Sequence, residues 1–450
     1  MLDKHILRGD ILEALAKSPA ATEDLRLMMR VSFPADIAEI VSELDPPDQV
    51  LVMRLLPPEK AAETVSELPD EVQRDLILNL FTKREVAGIL NEIDPDEGAD
   101  LIGLLPEEEG EEALQQVEPE QAEAIRSLAE YDPETAGGRM TTEYVTVSPA
   151  LTVAETLDTL RKELDNESIT NVYVVDPGEA LLGVMSVREI LEALPTAYVS
   201  EVMTTEVISA RADDDQEDAS RLLDRYDLTS LPVVDERGGL VGVLTHDDAM
   251  DVLEEEAEED IAYIAGSGVV SVRDPVLHHL RHRLPWLLIT LVGGVCAALL
   301  VKWFKPTLDS IEALVFFMPL MAGMAGSVGI QSSTVMVRGF ATGEMVMGMS
   351  AKTILHQTLV GVLTGAVCGS ITGILAIVLT GDIAMGIAVT FSMLVGVAAA
   401  AGLGTLLPIV CERMDIDPAV SSGPFVTMAN DLLGLLIYFA VASLLLVGTT

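Results

Sequence analysis

Residues 420–447 read VSSGPFVTMANDLLGLLIYFAVASLLLV, an apolar run broken by one carboxylate, Asp431. A helix needs about 20 such residues to cross roughly 30 Å of hydrocarbon, so this stretch predicts a membrane span. Working back from it, similar runs lie near 285–304, 311–337, 353–380 and 384–410, five spans in all. The second carries Pro319 and the glycines of GMAGSVG (323–329), read as an interruption. Broken helix is tolerated at membrane depth only against protein or a water-filled cavity, which makes this span a pore-lining candidate.

Charge divides the 450-residue chain at the same place. Up to Pro275 there are 64 Asp and Glu against 20 Lys and Arg; beyond it there are 8 against 7. So acidic a region repels nucleic acid and anionic lipid, and it repels itself unless cations neutralise it. Arg273, Arg281, Arg283, Arg338, Lys352 and Arg413 fall on one side of the spans, Lys302 and Lys305 on the other. The excess puts the N-terminal region in the cytoplasm and, after five crossings, the C-terminus outside. Cys296, Cys368 and Cys411 sit in apolar runs and read as small hydrophobes rather than a disulfide or zinc set. The first residues, MLDKHILRGDILEALAK, contain no apolar stretch of the kind a cleavable signal needs.

Two kinds of repeat organise the acidic region. Over the first 130 or so residues, short apolar helices end at LDP (44–46), LLP (55–57), ELP (67–69), IDP (93–95), LLP (104–106) and VEP (117–119). A two-turn helix cannot bury its apolar face alone, so these should stack into a helical superhelix. From 140 to 253 a longer unit occurs twice. MTTE at 140–143 returns at 203–206, YVVD at 173–176 as PVVD at 232–235, and GVMSVRE at 183–189 as GVLTHDD at 242–248. β-branched runs bounded by turn residues alternate with helical spacing, so each copy is an α/β module of a helix, two short strands and a helix.

The doubled module resembles a tandem CBS pair, and the chain as a whole resembles the MgtE family of magnesium channels. The motifs follow in the family's order: AGGRMTTEYV (136–145), the paired modules, EEAEEDI (255–261), QSSTVMVRG (331–339), DPAVSSGPFV (417–426) and the final ANDLLGLLIYF. The resemblance implies a multidomain fold. It comprises an all-α helical-repeat superhelical N domain (1–131), an α/β tandem CBS pair (132–253), an acidic connecting plug helix (254–283) and a five-helix transmembrane domain (284–450). It further implies a non-enzymatic homodimer in the cell membrane with Mg2+ as its ion.

Asp431 is the one ionisable residue well inside a span, where a charge costs at least roughly 2.5 kcal/mol by insertion scales. Such acids face a bundle interior or an aqueous path. By resemblance Asp431 is the pore's cation-recognition residue, one from each protomer, holding an ion that keeps most of its water. Thr427, four residues earlier, shares its face; Asn430 is expected to point elsewhere. Ser327 and Ile330 stand where the family often has Asn, and Gly423 where some members have Asn, so Mn2+, Co2+ and Ca2+ stay open as alternative ions.

The helix DVLEEEAEEDIAYI (251–264) places Glu255 with Glu259 and Glu256 with Asp260 at i,i+4, where like charges repel. By composition it reads as a solvated face. By resemblance it is a plug that closes the pore when Mg2+ bridges it to its neighbours. The resemblance carries regulatory Mg2+ ligands onto Asp96 and Asp100, Glu217, Asp227, Asp248 and Asp251, Glu256, Glu259 and Asp260, and Asp417. All offer oxygen, as Mg2+ requires. A CBS pair also takes adenosyl nucleotides through a Ser or Thr and an acid after the second strand. Thr245 with Asp248, and Ser186 with Glu189, match that pattern, which brings in ATP as a modulator.

His278, His279 and His282 lie among arginines at the cytoplasmic edge and read as edge residues rather than a zinc site. An ATP-driven importer is excluded in this chain by the absence of GxxxxGK[ST]. A membrane-anchored adenosyl-nucleotide sensor that transports nothing stays open, with Asp431 against it.

Overall fold

The computed structural model describes residues 22–163, 169–268, 270, 275–342, 350–414, 416–421 and 423–446. Its contacts separate into two units, one ending at Glu254 and one beginning at Glu255.

The first unit begins with short helices: Thr22–Val31, Pro34–Glu43, Pro46–Met53, Pro58–Ser66, Asp70–Asp75 running on to Leu80, Lys83–Leu90, Pro95–Gly103, Glu107–Leu114 and Pro119–Ala129. Proline opens five of them at a position whose missing N–H has no helical partner to lose. Thr82 and Glu85 open another with a reciprocal capping box. The structural repeat is a helix pair. Helices starting at Pro34, Pro58, Lys83 and Glu107 pack successively on one another, while those between them form a second layer. Polar ties join the pairs, Arg54 with Glu85 at 2.6 Å and Ser66 Oγ donating to Glu97 Oε2 at 2.6 Å. The sequence pattern of single helices thus becomes two alternating layers, stacked as expected into a solenoid.

Each CBS copy is a three-stranded sheet. Strands β1 (Val145–Val147), β2 (Asn171–Val175) and β3 (Leu181–Ser186) lie in that order, with β1 parallel to β2 and β2 antiparallel to β3. Strands β4 (Ala210–Arg211), β5 (Ser230–Val234) and β6 (Leu240–Thr245) repeat the arrangement. The sequence supplied β2, β3, β5 and β6. The edge strands β1 and β4 are too short to show alternation. Buried Ala210, Leu223, Leu231, Val233 and Leu244 of the second copy join the core of the helical repeats.

A helix, His246–Ala265, carries the acidic run, unfrayed despite its like charges. Five helices in the second unit are long and apolar enough to cross a membrane: Val276–Trp303, Leu314–Ala341, Ser350–Thr380, Ile383–Glu412 and Gly423–Leu446. They are called here the first to fifth spans. The second is continuous, against the expected interruption: Pro319 lies within its first turns, and the glycines serve as close contacts rather than breaks. The third and fourth pair along Gly361, Gly365, Gly369 and Gly373, small residues that let backbones approach where lipid offers no hydrophobic drive for association. The second and fourth pack with the fifth; Tyr438 Oη donates to Leu314 O at 2.9 Å and Phe304 stacks on Phe439. The first rests on the fifth and otherwise shows an apolar flank.

A Cβ on residue 365 would stand 3.0 Å from Leu394 Cα and O, both backbone, whereas one on residue 294 meets nothing within 4 Å. Gly365→Leu should therefore cost about 1–3 kcal/mol. A lowered thermal midpoint in detergent is expected for Gly365→Leu and an unchanged one for Gly294→Leu.

Candidate functional site: two sets of carboxylates

In the first unit, the helix Pro95–Gly103 and the helix that follows β6 bring acids to one place. Asp94, Asp96, Glu97, Asp247 and Asp248 line a cavity of about 100 Å3 with Thr141, Glu143, Tyr144, Thr170, Asn171, Tyr173, Ser230 and Thr245. That volume holds several water molecules. Asp96 Oδ1 is buried without a hydrogen-bond partner. Burial, then the charge of Asp248, pushes the Asp96 carboxyl up to about 8. Burial raises Glu97 to about 7 against the Ser66 bond, and raises Asp248 to about 6 against the bond from Thr245. Asp94 and Asp251 shift upward too, each by burial first and then by Asp247.

The remaining sequence candidates in this unit have other company. Asp100 lies 3.6 Å from Arg139, and Glu217 pairs with Arg221. Asp227 is exposed at the end of the helix Gln216–Arg225, in the left-handed region at φ 51°. The two nucleotide-type pairs part company. Thr245 donates to Asp248 at the cavity, whereas Ser186 and Glu189 close a capping box on the helix Val187–Glu192 and are absent from the cavity lining.

Of the lining, the sequence pointed only to Asp96, Thr245 and Asp248; the acids Asp94, Glu97 and Asp247 and the polar group around Ser230 escaped it. Asn171 donates to Ser230 Oγ at 2.8 Å, Tyr173 shares a 2.8 Å hydrogen bond with the same hydroxyl, and Thr170 lies beside them. Their signal was present in polar side chains at the start of a strand that otherwise reads apolar.

In the second unit Asp417 accepts from the Ala419 amide at 2.7 Å, and burial followed by the Glu259 charge raises its carboxyl. The connecting helix ends against the start of the fifth span. A Cβ at Gly423 would meet Ile264 O at 2.7 Å and Tyr263 O at 2.8 Å, and Tyr263 packs edge-on to Trp286 at 6.3 Å. Glu256 and Asp260 lie on that helix beside Glu259. Deeper in the fifth span, Asp431 turns toward the second span, its Oδ1 2.8 Å from where a Cβ of residue 326 would stand. A Cβ there would press on that oxygen, and glycine leaves it room.

Like charges held together out of water call for a cation, and the orphaned Asp96 oxygen with its acidic neighbours is a donor set suited to a hard ion. Among the described residues no three His, Cys, Asp or Glu side chains converge as chelators. A hydrated ion held through one or two carboxylates fits that spacing, which is how Mg2+ is commonly bound.

Comparison with known proteins identifies the domains and the family. A family model described as a divalent cation transporter matches residues 318–441, the MgtE intracellular N domain matches 32–134, and CBS domains match 136–196 and 199–255. The magnesium transporter MgtE of Bacillus subtilis is 33% identical over 430 residues, 93% of this chain and 95% of its own. The chain belongs to the MgtE family of magnesium transporters. Its counterpart in Thermus thermophilus is 36% identical over 94% of this chain and 96% of its own. Among solved structures, the cytosolic domain of the Mg2+ channel MgtE in complex with ATP matches with a TM-score of 0.51 at 37% identity, covering 54% of this chain and 99% of that one. The soluble part of a magnesium transporter matches at 0.52 and 28% identity, over 57% and 100%. The family, the CBS pair, the helical N-terminal domain and the multi-pass membrane architecture expected from sequence are thereby borne out.

The raised carboxyls fix a pH dependence. Asp96, Glu97 and Asp248 hold protons more tightly folded than unfolded, so their contribution is complete below about pH 4 and is lost as pH rises through about 6 to 8. In EDTA the thermal midpoint of the acidic unit in the full chain should fall between pH 5 and 8.5 by at least about 4 °C, since a kcal/mol moves a domain of this size by roughly 2–4 °C. Millimolar Mg2+ or Asp96→Asn should flatten the decline. A midpoint indifferent to pH in EDTA would contradict the assignment.

Proposed function

We propose that this magnesium transporter is a Mg2+ channel whose cation is recognised at Asp431 and whose pore is closed when internal Mg2+ binds the acidic surfaces. The observation that carries the reading is Asp431 itself. Among the described residues it is the only acid in the interior of a span, and it lies against Gly326 of the neighbouring one. A carboxylate at that depth needs an aqueous path or a cation, since its charge costs at least roughly 2.5 kcal/mol in hydrocarbon. One Asp431 from each protomer of a homodimer would hold a largely hydrated Mg2+ without stripping it. With the acidic region in the cytoplasm, the membrane potential drives entry at roughly 2.3 kcal/mol per charge per 100 mV.

Gating rests on like-charge pairs. Asp96 facing Asp248, and Asp417 facing Glu259, repel when bare and attract through a divalent ion. Asp100, Glu217, Asp227, Asp251, Glu256 and Asp260 belong to the same regulatory set, supplying further oxygen donors on these surfaces. High internal Mg2+ favours the bridged, closed state and low Mg2+ releases it, a shift of population set by differential affinity. The cavity beside Thr245 and Asp248 is the place for ATP as a modulator, with Tyr173 offering an aromatic face and Asn171 an amide. The relative solved with ATP supports that reading.

Proteoliposome flux tests the function. Asp431→Ala should abolish Mg2+ uptake while leaving the protein folded and dimeric by size-exclusion chromatography; full flux in that variant would refute the role of Asp431.

A further inference from the structure

The fifth span presents two consecutive polar side chains, Asn430 and Asp431, to the second span, and each meets a glycine. Asp431 lies at Gly326. A Cβ at residue 329 would overlap Asn430 Nδ2 and stand 2.6 Å from its Cγ. The fourth span closes the far side, because a Cβ on Gly404 would collide with Gly329 O and reach 3.0 Å from Gly329 Cα. Asn430, expected from helical spacing to point away from the site, is instead fully buried at this three-helix junction, at 0% exposure. Neither its Oδ1 nor its Nδ2 has a hydrogen-bond partner among the described residues, and the same holds for Ser333 Oγ, one turn beyond Gly329.

A buried amide left unpaired costs about 1–3 kcal/mol, and a leucine at this place in the span would carry no such cost. The amide therefore asks for a role that an apolar side chain could not fill. Its shape supplies one. A flat, rigid group seated on a glycine, with a second glycine backing it, fixes the rotation of the fifth span about its own axis. Neighbouring residues of a helix turn together at 3.6 per turn, so whatever holds Asn430 also aims Asp431.

We propose that Asn430, seated on Gly329 and backed by Gly404, is the positioning residue of the cation site, setting the carboxylate of Asp431 at Gly326 and thereby the preference for Mg2+ among hydrated divalent ions. This rests on the role proposed for Asp431. Groups that orient a ligand without touching the metal commonly change affinity 10–100-fold when removed.

The test is ion flux through the full-length protein in proteoliposomes, with Mg2+ and Ca2+ compared. Asn430→Ala should raise half-saturating Mg2+ by about tenfold. It should also raise Ca2+ flux relative to Mg2+ severalfold, with little change in thermal midpoint. Gly329→Ala should do the same by displacing the amide, and the double variant should be no worse than either single one. Asn430→Ser, smaller and still polar, serves if the alanine variant fails to fold, with the same shifts expected. Unchanged half-saturation and ion preference in the folded variant, or effects of Asn430→Ala and Gly329→Ala that simply add, would overturn the proposal. Asp431→Ala separates the two levels. Flux that survives it defeats the role of Asp431, whereas abolished flux together with an unaffected Asn430→Ala defeats only the positioning role.

Discussion

A carboxylate inside hydrocarbon is the constraint on which the membrane unit depends. Asp431 cannot be left to lipid, and a cation or water must reach it. The surrounding packing accommodates that demand. Gly326 clears the volume the carboxylate occupies, Gly329 and Gly404 draw three helices together, and the third and fourth spans meet along four glycines. With no hydrophobic drive between helices in lipid, close approach through small residues is what holds such a bundle. The glycine content that looked like a break in the second span is thus the means of packing it.

The acidic unit meets the same electrostatic problem without a membrane. Asp94, Asp96, Glu97, Asp247 and Asp248 are gathered in one place, and burial and mutual repulsion raise the carboxyls of Asp94, Asp96, Glu97 and Asp248, Asp96 the furthest. Such an arrangement is destabilising at neutral pH unless an ion or a proton neutralises it. In the proposed mechanism that instability is functional: the closed form exists only while Mg2+ is present to hold it, so the ion admitted at Asp431 sets its own limit. Asp417 and Glu259 repeat the device at the foot of the fifth span.

Much of this was legible in sequence because the signals are periodic or extreme. Five long apolar runs, a duplicated MTTE and VVD pattern, and 64 acids before residue 276 each leave few alternatives. What escaped was tertiary. Helical spacing placed Asn430 off the face of Asp431, yet the second and fourth spans pack around the fifth closely enough to bury Asn430 while Asp431, half-buried, lies against Gly326. Pro319 marks no break although it lies inside the helix, since a membrane helix tolerates proline where neighbouring helices and local adjustment satisfy the freed backbone. Ser186 and Glu189 match the nucleotide pattern as well as Thr245 and Asp248 do, but a capping box uses the same residue types at the same spacing, and only position in the fold separates them. Asn171 and Tyr173 join the cavity through a partner, Ser230, nearly sixty residues away.

The central claim is that the acidic unit senses the ion that Asp431 admits. Its most direct measurement is single-channel or flux recording with Mg2+ varied on the cytoplasmic face alone, in wild type and in a variant carrying Asp96→Asn and Asp248→Asn. Opening that falls steeply with cytoplasmic Mg2+ in the wild type and persists at high Mg2+ in the variant is the predicted result. Opening indifferent to cytoplasmic Mg2+, or equally sensitive in both proteins, would contradict the account.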